Sequence, residues 1–280
     1  MLRARLVVDA FVGMHETNVG DWGEVPVTSV RARLYAAFDK IAVRVADLTL
    51  TDTEVRARRW KEHGARDVSV VPVGAPDWAS PTRAPETGPL QVLYYGNYIP
   101  LHGLDYVASA MTFLTDRTIE WTFIGNGSER PLIESQLRRA ADGMPTRFLD
   151  HVSTYELARH IKESHVVLGV FGLSEKAGSV IANKVWQGLA GGRVVITRSS
   201  DALRELTFVS VDQLIQVDPE CATDLAAQLD RLSRAHSTGE LDTFTETSEW
   251  LETYVNSRAS AVVQSLAERM LERGEGRTLR

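Results

Sequence analysis

Apolar residues along the chain switch repeatedly between two rhythms. Short runs rich in Val, Ile, Leu and aromatic residues alternate with longer stretches in which apolar positions recur every three to four residues. The first rhythm predicts buried strands and the second amphipathic helices; together they predict an α/β chain built on mostly parallel sheet. From residue 90 onward strands are expected at 90–96, 121–125, 146–150, 165–172, 193–197 and 214–218. Helices are expected between and after them, at 103–114, 129–141, 154–163, 182–190, 200–206 and 221–235. Six strands with crossover helices make a doubly wound, Rossmann-like unit whose ligand crevice lies at the carboxyl ends of its strands.

Before this unit the same reading gives a strand at 6–10, an amphipathic helix near 28–45, a strand at 47–53, a helix running to Gly64 and a strand at 68–74. Three strands are few for a stable α/β layer, so residues 1–78 are expected to form an incomplete second Rossmann-like domain. Residues 79–89, ASPTRAPETGP, carry three prolines among small and polar residues and are expected to be a linker. Residues 90–240 form the main domain on this reading, and 241–280 a helical tail.

Charge narrows the function. With 31 Lys and Arg against 37 Asp and Glu the chain has a net charge of -6, which argues against nucleic acid as a partner. No apolar run reaches the roughly 20 residues of a membrane-spanning helix, and the opening MLRARLVVDAF is too short in apolar residues for a secretory signal, so a cytoplasmic location is expected. The single cysteine, Cys221, excludes an intramolecular disulfide, and no Cys/His cluster has zinc spacing.

Against that acidic background only five lysines occur, and two of them, Lys176 and Lys184, fall between the strands at 165–172 and 193–197. Asn183 is expected to cap the helix there, with Lys184 in its first turn beside unpaired amides. A lysine at that end of a helix is repelled by the positive terminus, and a bound anion reverses the repulsion. Two other strand-to-helix turns, YYGNYIPLHGLD and FIGNGSER, carry the glycines that let backbone amides approach a phosphate. The second resembles the start of a dinucleotide fingerprint, but Arg130 stands at its third glycine position, which argues against nicotinamide binding.

The runs YYGNYIPLHGLDYVASA, FIGNGSERPLIES, HVVLGVFG and NKVWQGLAGGRVVIT, in this order, resemble the nucleotide-sugar-binding domain of retaining GT-B glycosyltransferases of the group 1, family 4 type. ADLTLTDT and VVPVGAPD resemble the last two strands of the acceptor-side domain of that family. The resemblance implies a GT-B fold and transfer of a sugar from a nucleoside-diphosphate sugar to a glycan, lipid or small-molecule acceptor, with retention, no cofactor and no essential metal. It makes residues 79–89 the hinge and sends the terminal helix back to the first domain. The sequence itself leaves open peripheral contact with the inner face of the plasma membrane.

Residue by residue, the resemblance implies a donor site of Gly96, Asn97, Gly125, Asn126, Gly127, His151, Gly172, Lys176, Asn183 and Gln187, with His102, Lys184 and Asp9 in catalytic roles. Asn97 and His102 stand where the family has two basic residues facing the diphosphate, so Lys184 and Lys176 are expected to supply the charge. Gln187 and Ser179 stand at the family's pair of glutamates, with Glu175 a substitute for the first. His15, Glu16 and Thr53 are expected near the cleft. The segment matching LVVDAFVG is preceded in the family by further α/β units, so the first domain is expected to be truncated. These departures keep a non-catalytic or partner-dependent nucleotide-sugar-binding subunit open as an alternative, with a sugar-nucleotide epimerase further behind.

Overall fold

The computed structural model describes residues 6–22, 24–242 and 244–275. Two parallel sheets organise them. The smaller has the order β1-β2-β3, from β1 (Val7–Asp9), β2 (Leu48–Thr51) and β3 (Val68–Val70), with helices α1 (Val30–Val45) and α2 (Glu54–Glu62) as the crossovers. The larger contains β4 (Gln91–Tyr95), β5 (Glu120–Ile124), β6 (Thr146–Leu149), β7 (Val166–Leu168), β8 (Val194–Arg198) and β9 (Leu214–Val217). Its order is β6-β5-β4-β7-β8-β9, with every pairing parallel. That is the doubly wound order, and its direction reverses between β4 and β7, which opens a crevice at their carboxyl ends.

Helices α3 (Leu104–Phe113), α4 (Arg130–Ala141) and α5 (Thr154–Glu163) link the first four strands of the larger sheet. They are followed by α6 (Glu175–Ser179), α7 (Asn183–Ala190), α8 (Ala222–Ser237) and α9 (Thr247–Glu275). The two-residue alternation within each strand divides the core. Val92, Tyr94, Trp121, Phe123 and Val166 pack with α3, α4 and α8 on one face. Leu93, Tyr95, Ile124, Val167 and Val195 pack with Trp186 and Leu189 of α7 on the other.

Most predicted elements are present with trimmed ends, and three local features differ. The strand expected at 165–172 stops at Leu168, because Gly169 lies against Thr197 and the chain then bends into the crevice. Lys176, expected in a loop, sits in α6, whose N-cap is Ser174, its side chain accepting from Ala177 N–H. Residues 200–206 form a 3-10 turn (Ala202–Leu206) instead of an α-helix.

The proline-rich stretch is fastened to the amino ends of the larger sheet. Buried Arg193 donates to the carbonyl and hydroxyl oxygens of Thr82 and, at 3.1 Å each, to the carbonyls of Gly191 and Ser164. His165 accepts from Gln91 N–H at Nδ1 (2.9 Å) and donates from Nε2 to the Pro85 carbonyl (2.8 Å). Both ring nitrogens are thereby committed to the neutral form, and burial pushes the imidazole down to about 4.

Helix α9 runs beside α7, where Tyr254 stacks on Trp186, and Arg258 reaches Glu54 of α2 at 2.8 Å. No described helix is long and apolar enough to cross a membrane.

Candidate functional site

Glycines bring the strand ends of the larger sheet together. Gly96, past β4, and Gly125, past β5, have φ of 142° and 124°, and a Cβ on Gly125 would overlap the carbonyl oxygen of Gly96. Only glycine lets these two turns meet. Gly103 (φ 59°) and Gly172 make a second close approach, where the Gly172 N–H donates to the Leu101 carbonyl and the Phe171 N–H to that of His102. The turn carrying His102 is thereby held on the chain leaving β7.

Lys184 enters this corner from α7. Its side chain is 5% exposed, and Nζ lies 4.4 Å from the centroid of the Tyr94 ring. A Cβ on Gly96 would sit 3.1 Å from that Nζ and 2.9 Å from His102 Cε1, so the missing side chain makes room for both. The amine finds no hydrogen-bond acceptor among the described residues. Burial alone pushes it down to about 7. A buried lysine needs a partner or loses its proton, and the glycine turns at the strand ends beside it carry backbone amides of the kind that suit an anionic one.

His102 is fixed by Tyr94. The phenol donates to the Asn97 carbonyl at 2.9 Å and therefore accepts from His102 Nδ1–H at 2.7 Å, which leaves Nε2 as the unprotonated nitrogen. Burial, with the Lys184 charge adding to it, holds the imidazole well below its usual range. The pair is thus a neutral ring beside a readily neutralised amine.

The other predicted residues fall into three groups. Asn97, Asn126, His151 and Asn183 are exposed at carboxyl ends of strands or the start of α7. Asn126 and Gly127 line an open groove of about 750 Å³ with Arg130, which donates to the Gly125 carbonyl (2.8 Å) and pairs with Asp150. Gln187 is half-buried and accepts from the Tyr95 hydroxyl at 2.7 Å.

Lys176 is held apart from the Lys184 corner, in an ion pair with buried Asp21. Glu175 is 75% exposed and pairs with Arg59, and Ser179 is buried with its carbonyl accepting from Thr53 Oγ1 at 2.7 Å. In the smaller layer, buried Glu16 pairs with Arg56 and Arg59, while His15 is half-buried with its N–H on Asp39. Asp9 is exposed at the end of β1 and accepts from Phe11 N–H.

The N-cap lies one residue earlier than expected. Ala182 is the N-cap, with Asn183 and Lys184 the first two helical residues and no side-chain cap, because Val180 and Ala182 remain extended. Asn183 therefore offers its backbone amide, with its side chain in solvent.

Three residues of the corner went unrecognised in the sequence. Tyr94 and Tyr95 read there as ordinary core positions of an apolar strand. Arg198, which donates to the Gly172 carbonyl, carried a usable signal: a charge at the carboxyl end of a predicted strand faces the crevice. Among the described residues no group of three or more His, Cys, Asp or Glu is placed to hold a metal ion.

The sequence profile described as "Glycosyl transferases group 1" matches residues 89–235, just over half of the chain, and spans the larger sheet and this corner. The chain belongs to the group 1 glycosyl transferases. No curated protein matches the transferase in sequence.

Solved structures share its fold. Sucrose-phosphate synthase from Thermosynechococcus elongatus superposes with a TM-score of 0.73 at 16% identity, over 98% of the transferase and 69% of the synthase. HepE from Anabaena, solved with UDP and glucose, gives 0.72 at 12% identity, over 95% and 72% of the two chains. TarM from S. aureus gives 0.68 at 10% identity, over 97% and 51%. The fold is that of GT-B proteins, and the family makes the chain a glycosyl transferase.

Proposed function

We propose that the transferase binds a nucleoside-diphosphate sugar with its diphosphate against Lys184, beside the Gly96 turn, and moves the sugar with retention, in the manner of family 4. One observation carries this: a lysine amine, buried and without an acceptor among the described residues, stands at the switch point of a doubly wound sheet. Departure of a sugar leaves negative charge on the diphosphate, and a pre-placed cation in a dry corner stabilises that charge without reorganisation. Gly125, Asn126 and Gly127 extend the donor site along the next turn, Gly172 and the amide of Asn183 close it from the other side, and Gln187 takes the ribose. Lys176, neutralised by Asp21, is left outside the diphosphate set.

On this reading residues 1–78 face the acceptor, a glycan or lipid, with Asp9 at the entrance and residues 79–89 as the connection. HepE and TarM were solved with UDP, which supports UDP as the first probe.

The test is calorimetry with UDP, GDP and ADP and their nucleosides. Loss of a hydrogen bond to a charged group costs about 1.5–3 kcal/mol, so Lys184→Met should weaken the preferred diphosphate roughly 10- to 100-fold and its nucleoside less than twofold. Equal losses for both would remove Lys184 from the phosphate site. Anomeric coupling constants of the product decide retention.

A further inference from the structure

We infer that above neutral pH the donor's diphosphate draws a proton onto Lys184 as it binds, so that the amine is neutral in the empty site and an ammonium in the occupied one. This rests on the reading that a nucleoside diphosphate occupies the corner.

The geometry supplies both halves of the switch. In the empty site nothing holds the ammonium: Nζ is buried, has no hydrogen-bond acceptor among the described residues, and has only the face of the Tyr94 ring against it. A single ring face returns about 0.5–2 kcal/mol, far less than the cost of burying a charge. The groups turned toward Lys184 give no counter-charge. Strand β4 contributes Tyr94 at the amine and Tyr95 one helical turn further on, at Gln187, both phenols held protonated by burial. The turn before α3 contributes neutral His102. Elsewhere around α7, Val167 and Val195 pack against Gly188 and Tyr254 stacks on Trp186, none of them charged. No carboxylate forms an ion pair with Lys184 among the described residues, unlike Lys176, which has Asp21.

A diphosphate reverses the balance, since its oxygens accept the N–H bonds that the ammonium lacks and bring the opposite charge. With the empty-site amine at about 7, only about a tenth of the chains carry the ammonium at pH 8, and an anionic partner restores it toward the ordinary lysine range. Binding at pH 8 therefore takes up about 0.9 proton, and at pH 6 about 0.1. Above pH 7 the affinity falls about tenfold per pH unit. The ligand adds no proton of its own at pH 8, because a terminal phosphate with a pKa near 6 is already ionised there.

The experiment is calorimetric titration of the full chain with UDP, GDP and ADP at pH 8 in HEPES and in Tris, whose ionisation heats differ, repeated in one buffer from pH 6 to 9. Uptake of 0.7–1.0 proton, with the pH slope above, is the expected result. Binding with less than 0.2 proton taken up, or with an affinity flat in pH, overturns the inference and leaves the donor-site reading intact. Absence of binding by all three nucleotides removes that reading and the inference with it. His102 is the competing proton acceptor, so two variants assign the site. Lys184→Arg, charged at every pH, should abolish the uptake, whereas His102→Gln should leave it near 0.9 proton. Uptake that survives in the first or vanishes in the second gives the proton to His102 and refutes the assignment to Lys184.

Discussion

Replacing Gly125 by alanine tests the packing on which the site depends. Its φ of 124° lies in a region that L residues rarely adopt, which costs about 1–3 kcal/mol. The new methyl would also overlap the Gly96 carbonyl oxygen and lie 3.0 Å from its carbon, a backbone group that moves only if the ends of β4 and β5 separate. Overpacking of this kind costs a further 1–3 kcal/mol or so, for a total near 4 kcal/mol. That is a large part of the roughly 5–15 kcal/mol available to a folded protein, so the variant is expected to fold but to be frail. Urea unfolding followed by fluorescence reads the loss, because Trp121 is buried in β5, the strand that leads into the perturbed turn. With an m-value of about 3 kcal/mol/M the midpoint should fall by more than 1 M. Gly239→Ala is the control: its φ of 74° is also positive but its Cβ meets nothing within 4 Å, so it reports backbone strain alone. A midpoint shift at Gly125 no larger than that at Gly239 would refute the claim that the two turns are in contact.

Three further outcomes follow from the buried charges. Lys184 has a folded-state pKa of about 7, below its ordinary value near 10.5, so the lysine penalises the empty fold fully below pH 7 and progressively less up to about 10.5. Lys184→Met should therefore stabilise the ligand-free transferase by about 4–5 kcal/mol at pH 6 and about 2 kcal/mol at pH 9, in urea melts at the two pH values; a pH-independent difference would contradict the burial argument. His165, also depressed, should cost stability as pH falls from about 6.5 to 4, by about 3 kcal/mol in all, and His165→Gln should lack that acid slope. Lys176→Met should change UDP affinity less than threefold, because Asp21 already holds the ammonium; a tenfold loss by calorimetry would return Lys176 to the phosphate site.

What could be read from the sequence, and what could not, divides along physical lines. The order of strands and helices was legible because the central strands of the larger sheet are buried on both faces and read as apolar runs, as in VVL of β7 and VVIT of β8. Lys184 was legible because a charge next to such a run is costly unless something needs it. Its partners were not. Tyr94 gives the same apolar signal whether or not its hydroxyl orients a histidine eight residues on. Asp21 and Lys176 meet across 155 residues of chain, so no local pattern announces that the ammonium is already paired. The start of α7 was misplaced by one residue because Asn183 is a good cap in isolation, while the extended Val180–Ala182 segment puts Ala182 there instead.

The bonds that join the small layer to the larger sheet have one more consequence. They are polar: Thr53 to the Ser179 carbonyl, the Glu54 N–H to Glu205, Arg59 to Glu175, Lys176 to Asp21 and Arg258 to Glu54. Water replaces each of these at a net cost of about 1 kcal/mol, whereas parting an oily surface of the same size would cost far more. Such a seam fixes alignment more than it adds adhesion, which comes from apolar contacts such as that of Val55 with the core under α7. Each bond has a definite direction, so the two surfaces return to one register whenever they meet, and high salt loosens the exposed pairs first.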